Sequence, residues 1–324
     1  MLVLRRKSSE ATAPMKMKAT VSLMLGVVLT LSIFGVSFAA HKGQAAQTFK
    51  KPEFPLRVTD QANHKVFIKA KPTRIASTTE GEDEILSALV PKKDIVLVTA
   101  FASNPSYSNI VNFVKGIPKI GNANAEQILA VRPDLVLMAS YDTPGVVGQI
   151  EQTGVPVYEF ADFNSFANIE KNILITGRLT GTTAKAEVLV AHMRQELAAL
   201  KKMTKNRLHP TILDDSSYGF AAGRNTTVNS VIVAAGGVNA ANQLNGWQKI
   251  TDEEIVKMNP SVIIDASDDA PFLKQLASNP ALQTVSAIQH HRLYAINSAD
   301  MTSVSQYAVQ GARDLAAMLY PSHR

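Results

Sequence analysis

Glu126-Gln-Ile-Leu-Ala-Val-Arg-Pro-Asp-Leu-Val-Leu137 and Glu253-Glu-Ile-Val-Lys-Met-Asn-Pro-Ser-Val-Ile-Ile264 are two copies of one pattern. Each copy begins with an acidic residue, continues through amphipathic helical turns, reaches a proline and passes directly into an apolar run. The pattern predicts a helix, a stop and a buried strand. Its repetition half a chain apart predicts two related α/β lobes, and the cleft between two lobes is a natural place for a ligand.

Length and composition are consistent with two lobes. The chain has 324 residues, and a hydrophobic content of 46% supplies enough apolar surface for two cores. Cysteine is absent. This excludes disulfides, zinc-thiolate sites, iron–sulfur clusters and thiol nucleophiles, together with the lipid-bearing cysteine of a bacterial lipoprotein.

The N-terminus predicts export. Lys16 and Lys18 precede an apolar stretch that runs to residue 40 and ends in small residues around Ser37-Phe38-Ala39. This order is typical of a secretory signal peptide, which we place at residues 1–40, followed by a tether at 41–54. A signal anchor is the alternative, because the stretch could nearly span a bilayer. Without a lipobox cysteine, a soluble periplasmic protein is the predicted form.

The charge of the exported part argues against one class of partner. Cleavage after Ala39 would remove five basic residues and one acidic residue, so the net charge of +6 would fall to +2. No Lys/Arg-rich run with interleaved aromatic residues remains. Nucleic acid is therefore not an expected partner.

The rest of the chain alternates strands and helices. This predicts an α/β fold with two lobes, whose mostly parallel sheets are covered by helices and bridged by one long α-helix. We place the N-terminal lobe at residues 55–163, a helical region with the bridging helix at 164–206, and the C-terminal lobe at 207–324. Within these bounds the pattern also predicts a short helix at 108–114, a loop at 243–249, helical structure over 272–288 and a closing helix at 305–319.

Five segments, in this order and spacing, carry a resemblance to a known family. They are Lys71-Pro-Thr-Arg-Ile-Ala76 with the following Thr-Glu-Gly and Glu84-Ile-Leu, Asn124-Ala-Glu-Gln-Ile-Leu-Ala-Val-Arg-Pro-Asp134, Phe220-Ala-Ala-Gly223, Ala234-Ala-Gly-Gly-Val-Asn239 and Asp252-Glu-Glu-Ile-Val-Lys-Met-Asn-Pro260. Together they resemble the periplasmic solute-binding proteins of ABC importers for iron-siderophore complexes, haem and cobalamin. The resemblance covers residues 55–320.

The resemblance implies two lobes joined by a long helix, with little closure of the lobes around a ligand held between them. The implied function is capture of an iron chelate, either a siderophore or haem, and its delivery to the membrane permease. A cobalamin or corrinoid ligand is the alternative within the same transporter class. The expected partners are the permease subunits and the chelate; a monomer without a cofactor is expected.

The acidic residues that open the two repeats have two interpretations. By position in the resemblance, Glu126 and Glu253 are the family's permease-docking glutamates, one on each lobe, which meet arginines of the membrane subunits. Alternatively, an acidic residue in the first turn of a helix simply stabilises the helix dipole, by about 0.3 to 1 kcal/mol. Glu254 is a neighbouring candidate for docking on the second lobe.

The ligand cleft is predicted from a general rule. In open α/β sheets a ligand lies beyond the carboxyl ends of the strands, where aromatic side chains can stack on a planar chelate. The rule selects the following candidates: Thr79, Glu80, Phe101, Tyr107, Tyr141, Tyr218, Arg224, Trp247, Asp268 and Met301. Each aromatic residue has an ordinary alternative as a half-buried core side chain.

The charges at these positions bear on the ligand. Arg224 could pair with an anionic ligand, although a solvated loop arginine is the commoner case. Few other basic residues fall at predicted strand ends, which favours a less charged chelate, a tetrapyrrole or a corrinoid. None of the seven histidines falls at a predicted cleft position, so bare metal binding is not expected. An axial ligand for haem could come from Tyr107, Tyr141, Tyr218 or Met301.

An enzyme is the rival class of function. The nucleophile motif G-x-S-x-G is absent, and Gly236-Gly237 lacks the spacing of a phosphate loop. The pairs Asp214-Asp215 and Asp268-Asp269 are adjacent in sequence, so on strands they would point to opposite faces. We therefore expect a binding protein and not an enzyme.

Overall fold

The computed structural model describes residues 54–143 and 145–321, all of which belong to one compact unit. The predicted signal peptide and nearly all of the tether lie outside these residues. Among the residues described, no helix combines the length and the apolar character needed to cross a bilayer.

The first lobe contains a five-stranded parallel sheet and a separate antiparallel hairpin. Its strands are β1 (Leu56–Thr59), β2 (Lys65–Ile68), β3 (Ile75–Ser77), β4 (Ile95–Thr99), β5 (Lys119–Ile120), β6 (Leu135–Ala139) and β7 (Val157–Phe160), and its helices are α1 (Glu80–Leu89), α2 (Ala125–Ala130) and α3 (Val146–Glu151). The sheet has the order β5-β4-β3-β6-β7, while β1 pairs with β2. Every residue of β6 is buried, because helices cover both faces of a parallel sheet.

Two helices, α4 (Phe166–Leu179) and α5 (Thr183–Thr204), lead to the second lobe. That lobe contains strands β8 (Thr211–Asp214), β9 (Phe220–Ala222), β10 (Val238–Asn239), β11 (Trp247–Lys249), β12 (Val262–Ala266) and β13 (Leu293–Ile296), and helices α6 (Thr227–Ala234), α7 (Asp252–Met258), α8 (Ala270–Ser278), α9 (Ser286–Gln289), α10 (Ser298–Met301) and α11 (Ala308–Leu319). Its parallel sheet has the order β10-β8-β12-β13, and β9 pairs with β11 in a small antiparallel sheet. The predicted two-lobed α/β fold is confirmed.

The long bridging helix is α5, which has 22 residues and is therefore about 33 Å long. Ala186, Val190 and Met193 on this helix belong to the core of the first lobe, whereas Leu200 near its end belongs to the core of the second. A second connection was not predicted. Helix α11 begins with Ala308 and Val309 in the first core and continues into the second, so two helices join the lobes.

Both copies of the repeat fold in the same way. Helix α2 leads to β6, and α7 leads to β12. The residue before each proline has a left-handed backbone, with φ of 49° at Arg132 and 43° at Asn259. A left-handed residue followed by proline ends a helix and redirects the chain, and this explains why one local sequence pattern gives the same turn twice.

Three predicted elements differ from the structure. Residues 108–114 form turns and not a helix, because the Ser108 hydroxyl accepts a hydrogen bond from the Ile110 amide and competes with helical bonding. Trp247, predicted in a loop, pairs with Ala222 as part of β11. The closing helix starts at Ala308 and not at residue 305. The prediction that residues 272–288 are mainly helical is confirmed, since they form α8, a short 3-10 turn and α9.

The contact between α4 and α5 leaves no room for a side chain at Gly177, where an added Cβ would lie 2.4 Å from the Ala186 Cβ. We expect Gly177→Ala to lower the free energy of unfolding by about 2 kcal/mol, because the helices must move apart. Urea denaturation would measure this. Gly148→Ala is the control, since an added Cβ there has no neighbour within 4 Å, and it should be neutral or stabilising. Equal effects of the two variants would contradict the packing argument.

Candidate functional site

A depression of about 300 Å³ lies at the carboxyl ends of the strands of the first lobe. From β3 the chain adds β4 and β5 on one side of the sheet and then β6 and β7 on the other side. The depression lies over the position between β3 and β6 where this change of side occurs. Its lining comes from the segments that follow four strands: Thr78, Thr79 and Glu80 after β3, Thr99 and Phe101 at the end of β4, Ile120 to Ala123 from β5, and Tyr141 to Thr143 after β6. Such a position is where open α/β sheets hold ligands.

Hydrogen bonds fix the floor of the depression. The Thr78 amide donates to the Leu137 carbonyl at 3.1 Å, and its hydroxyl donates to the Asp142 carboxylate at 2.5 Å. Asp142 also accepts from the Ala139 amide at 3.1 Å. The loop after β6 is therefore tied to the end of β3, so the two sides of the depression keep their separation.

Aromatic side chains stand at its rim. Phe101 is half exposed, and Tyr107 packs edge-on against it with ring centroids 5.3 Å apart. Tyr141 is two-thirds exposed, and its ring lies 5.6 Å from that of Phe163. Phe101 and Tyr141 therefore line this site, where they could stack on a flat ligand, and Tyr107 supports the Phe101 ring from beside the site.

The first turns of α1 contain four carboxyl groups, of which three are fully buried. Burial raises the pKa of Glu80 to about 10, with the charge of Glu84 as the second cause. Burial also raises the pKa of Glu82 to about 8 and that of Asp83 to about 7, although the Thr99 amide and hydroxyl both donate to Asp83. Near neutral pH, Glu80 is a protonated carboxyl group at the edge of the depression.

Of these carboxyl groups, the sequence predicts only Glu80 at the cleft, and the buried groups behind it are visible only in the structure. Glu82, Asp83 and Glu84 match the ordinary preference for acidic residues at a helix N-terminus. One signal was present: α1 contains four acidic residues and no basic residue in its ten positions. Four carboxylates without a cation on a mainly buried helix must either find donors or keep their protons.

Glu84 connects α1 to the polypeptide that returns from the second lobe. Its carboxylate accepts hydrogen bonds from the Asn109 amide at 2.9 Å, the Ser303 hydroxyl at 2.9 Å and the Ser305 hydroxyl at 2.5 Å. The Asn109 side chain also donates to the Ala299 carbonyl at 3.2 Å. These contacts hold the base of the cleft together and keep residues 303–305 out of α11.

The carboxyl edge of the second sheet is also acidic. Burial raises the pKa values of Asp214, at the end of β8, and Asp265, on β12, to about 8 each. One oxygen of each side chain is buried without a hydrogen-bond partner among the described residues. Asp268 accepts a hydrogen bond of 2.5 Å from the Ser298 hydroxyl. Both lobes thus place carboxyl groups beneath their strand ends.

The other candidates of the second lobe lie apart from the depression. Tyr218 is exposed in the turn between β8 and β9, and Trp247 is half exposed on β11. Arg224 donates to the Gln243 carbonyl at 3.0 Å, which holds it against its own loop. The depression contains Thr79, Glu80, Phe101 and Tyr141 but none of these three residues.

Met301 does not face a cleft. Only 2% of its surface is exposed, and its side chain belongs to the hydrophobic core of the second lobe. The loop after β13 turns inward as the short helix α10, capped by the Asn297 side chain, and this carries Met301 into the core. Met301 is therefore not available as a ligand contact or as an axial ligand.

Glu126 and Glu253 are both exposed in the first turns of α2 and α7. These helices run back from the carboxyl edges of their sheets, so both glutamates lie on the cleft side, one on each lobe. Glu254 has a structural role, since it forms a capping box with Thr251 and accepts from the Thr251 amide at 2.9 Å. Hydrogen bonds from its own amide and from Thr251 lower the pKa of Glu253, which remains a charged surface group.

A search of residues 54–143 and 145–321 finds no group of three or more His, Cys, Asp or Glu side chains arranged to hold a metal ion. The acidic clusters of the two lobes do not converge in that way. The chemistry available at the depression is thus hydrogen bonding by hydroxyl and carboxyl groups, together with stacking on aromatic rings.

Comparisons with known proteins agree with this architecture. The family described as periplasmic binding protein matches residues 75–299. An uncharacterized ABC transporter substrate-binding lipoprotein, YvrC of Bacillus subtilis, is 28% identical over 93% of this chain and 96% of its own length. A cobalamin-binding protein of Halobacterium salinarum is 24% identical over 86% of this chain and 77% of its own.

Solved structures show the same fold. The periplasmic heme-binding protein RhuT of Roseiflexus sp. RS-1, in its apo form, superposes with a TM-score of 0.67 at 25% identity. The superposition covers 76% of this chain and 97% of that protein.

Proposed function

Because the chain belongs to the periplasmic binding protein family and is a substrate-binding protein of an ABC transporter, we propose that it captures a corrinoid such as cobalamin. One observation carries the choice of ligand. The depression at the carboxyl ends of the first sheet is lined by hydroxyl groups, carboxyl groups and aromatic rings, and no Lys or Arg is among its lining residues.

The chemistry of that lining suits an uncharged, amide-rich ligand. A corrinoid carries peripheral amide groups, which accept hydrogen bonds from protonated carboxyl and hydroxyl groups. Glu80 can donate in this way because burial raises its pKa to about 10, and Thr79 is a hydroxyl donor beside it. A haem or a catecholate siderophore brings anionic groups instead, and these would find no cationic partner among the lining residues. The likeness to a cobalamin-binding relative supports the same choice.

Haem is the second candidate, and exposed tyrosines favour it. Tyr141 lines the depression, and its phenolic oxygen could bind a ferric ion, while Tyr107 packs against Phe101. The likeness to a heme-binding protein of known structure supports this candidate. Binding of either ligand without turnover is part of the proposal.

Titration of the purified protein would decide between the ligands. We expect cyanocobalamin to bind at least tenfold more tightly than haemin or a ferric catecholate, measured by calorimetry. Phe101→Ala and Tyr141→Ala should each weaken cyanocobalamin binding about tenfold, because each removes a stacking face. Phe67→Ala, at an exposed phenylalanine on the β1–β2 hairpin, is the matched control and should have no effect. Tighter binding of haemin would overturn the corrinoid proposal.

The proposed partner surface consists of Glu126 and Glu253, which are exposed on the cleft side of the two lobes. A carboxylate on each lobe can bind one arginine on each half of a two-fold permease, and this fixes the register of docking. The proposed location is the periplasm, reached through the signal peptide at residues 1–40. The chain contains no cysteine, so it cannot carry the lipid of a lipoprotein relative such as YvrC on that residue.

A further inference from the structure

The surface opposite the ligand cleft carries a cluster of exposed basic residues. Helix α5 ends at Thr204, and residues 205–210 lead into β8, so this tip lies at the amino-terminal edge of the second sheet. We call it the basic tip. It consists of the exposed residues Lys201, Lys202, Met203, Lys205, Arg207, Leu208 and His209.

Within the described part of the chain, the cations of the basic tip form no ion pairs. Among the described residues, none of the ion pairs involves Lys201, Lys202, Lys205 or Arg207. A surface with four cations and no carboxylate within ion-pair distance attracts an anionic partner.

Leu208 is the most exposed large hydrophobic side chain of the tip, with 91% of its surface in solvent. Its backbone is nevertheless fixed. The Tyr320 hydroxyl lies 2.8 Å from the Leu208 carbonyl, and the neighbouring His209 Nδ1 lies 2.7 Å from the Gly236 carbonyl. An exposed leucine side chain has a higher free energy in water than in an apolar phase. Transfer of Leu208 into an apolar phase is therefore favourable.

Beside the tip lies an apolar groove of about 710 Å³ between α5, α6 and the start of α4. Phe166, Leu197, Val233 and Val238 contribute its apolar surface. Lys201, Lys205 and His209 stand among its lining residues, which include no Asp or Glu. Groove and tip therefore combine exposed apolar surface with a rim of positive charge, as membrane-surface segments do.

We propose that the basic tip and this groove bind the surface of an anionic lipid bilayer, with Leu208 among the acyl chains and the lysines at the phosphates. The N-terminal segment of the chain is a poor occupant, because residues 1–53 contain eight Lys or Arg and two Glu and so have the same sign of charge. The chain enters the described structure at Phe54, whose ring lies 3.2 Å from a Cβ built on Gly181, next to the other end of α5. A protein lying on lipid through this tip presents its cleft away from the membrane.

The absence of cysteine allows a direct test in the full chain. Leu208→Cys is labelled with an environment-sensitive fluorophore and mixed with vesicles of phosphatidylcholine alone or with one quarter phosphatidylglycerol. We expect the emission of this label to shift to the blue and to resist iodide quenching only with the anionic vesicles. Val188→Cys, at an exposed position on α5 away from the basic tip, is the control and should show no shift.

Charge variants complete the test. In the labelled protein, Lys201→Gln with Lys205→Gln should raise the lipid concentration needed for half of the shift about 25-fold, or about fivefold for each charge. Lys257→Gln with Lys274→Gln, at exposed lysines elsewhere on the second lobe, should change it less than twofold. Equal shifts with both vesicle types, an equal shift at position 188, equal effects of the two charge pairs, or a shift without vesicles would each overturn the proposal. Thermal melting of each variant verifies that it is folded.

Discussion

Replacing Glu126 and Glu253 together by lysine is expected to abolish productive docking on the permease while ligand affinity in solution stays unchanged. Both side chains are exposed, one on each lobe, and neither lines the depression at the first sheet. In the proposed docking, reversal replaces two attractive contacts with permease arginines by repulsion, so affinity for the permease should fall at least a hundredfold. Binding of the protein to permease reconstituted in nanodiscs would measure this without requiring that the ligand be known.

Glu254→Ala, which removes the capping side chain without adding a positive charge, is the control for the docking variant. Glu254 closes the capping box of α7 through the Thr251 amide, so its loss should lower stability and leave docking intact. If the acidic residues of the two repeats serve only the helix dipoles, the double reversal would lower stability alone and permease affinity would not change. That outcome would contradict the docking assignment. Weaker binding to the permease at high salt would support the docking assignment, because salt screens the attraction between exposed charges.

The repeated unit could be predicted because every signal it contains is local. The amphipathic turns specify α2 and α7, and the prolines at 133 and 260 end them. The apolar runs that follow specify β6 and β12, which are buried as a parallel sheet requires. No distant residue is needed for any of these steps, so a single sequence is sufficient.

The elements that were missed depend on distant partners. Trp247 belongs to a strand only because β9 offers an edge to pair with, and nothing in residues 243–249 indicates that edge. The closing helix predicted from residue 305 begins only at Ala308, because Glu84, more than two hundred positions away in sequence, accepts hydrogen bonds from Ser303 and Ser305. Local preference favoured helix at this segment, and a long-range hydrogen-bond network overrode it.

The candidate site was predicted in part for a similar reason. The rule that ligands lie at the carboxyl ends of strands selects Thr79, Glu80, Phe101 and Tyr141, which line one depression in the structure. The same rule does not tell whether the loop beyond a strand faces the cleft or the core. In the structure, Met301 lies in the core of the second lobe. Burial of the α1 carboxyl groups also escaped prediction, because acidic residues at a helix N-terminus are usually solvated.

Those buried carboxyl groups predict that the protein is more stable at pH 5 than at pH 8. Burial raises the pKa values of Glu82, Asp214 and Asp265 to about 8, whereas the same groups ionise near pH 4 in an unfolded chain. Their stabilising contribution is complete below pH 4 and is lost as the pH rises through 8. Between these values unfolding releases protons, so the free energy of unfolding falls as the pH rises.

Urea denaturation at pH 5, 6, 7 and 8 would measure this dependence. Glu82→Gln is the informative variant, because glutamine has nearly the same shape and cannot ionise, and one Glu82 carboxyl oxygen has no hydrogen-bond partner to lose. The variant should reduce the slope by about one proton, which makes it more stable than the parent at pH 8 and similar at pH 4. Glu126→Gln, at an exposed carboxylate, should leave the slope unchanged. Stability that stays flat or rises between pH 5 and pH 7 would show that these carboxyl groups ionise within the folded protein at ordinary pH. Glu80 could then no longer be assigned as a protonated donor at the edge of the cleft, and the preference for an uncharged ligand would lose its support.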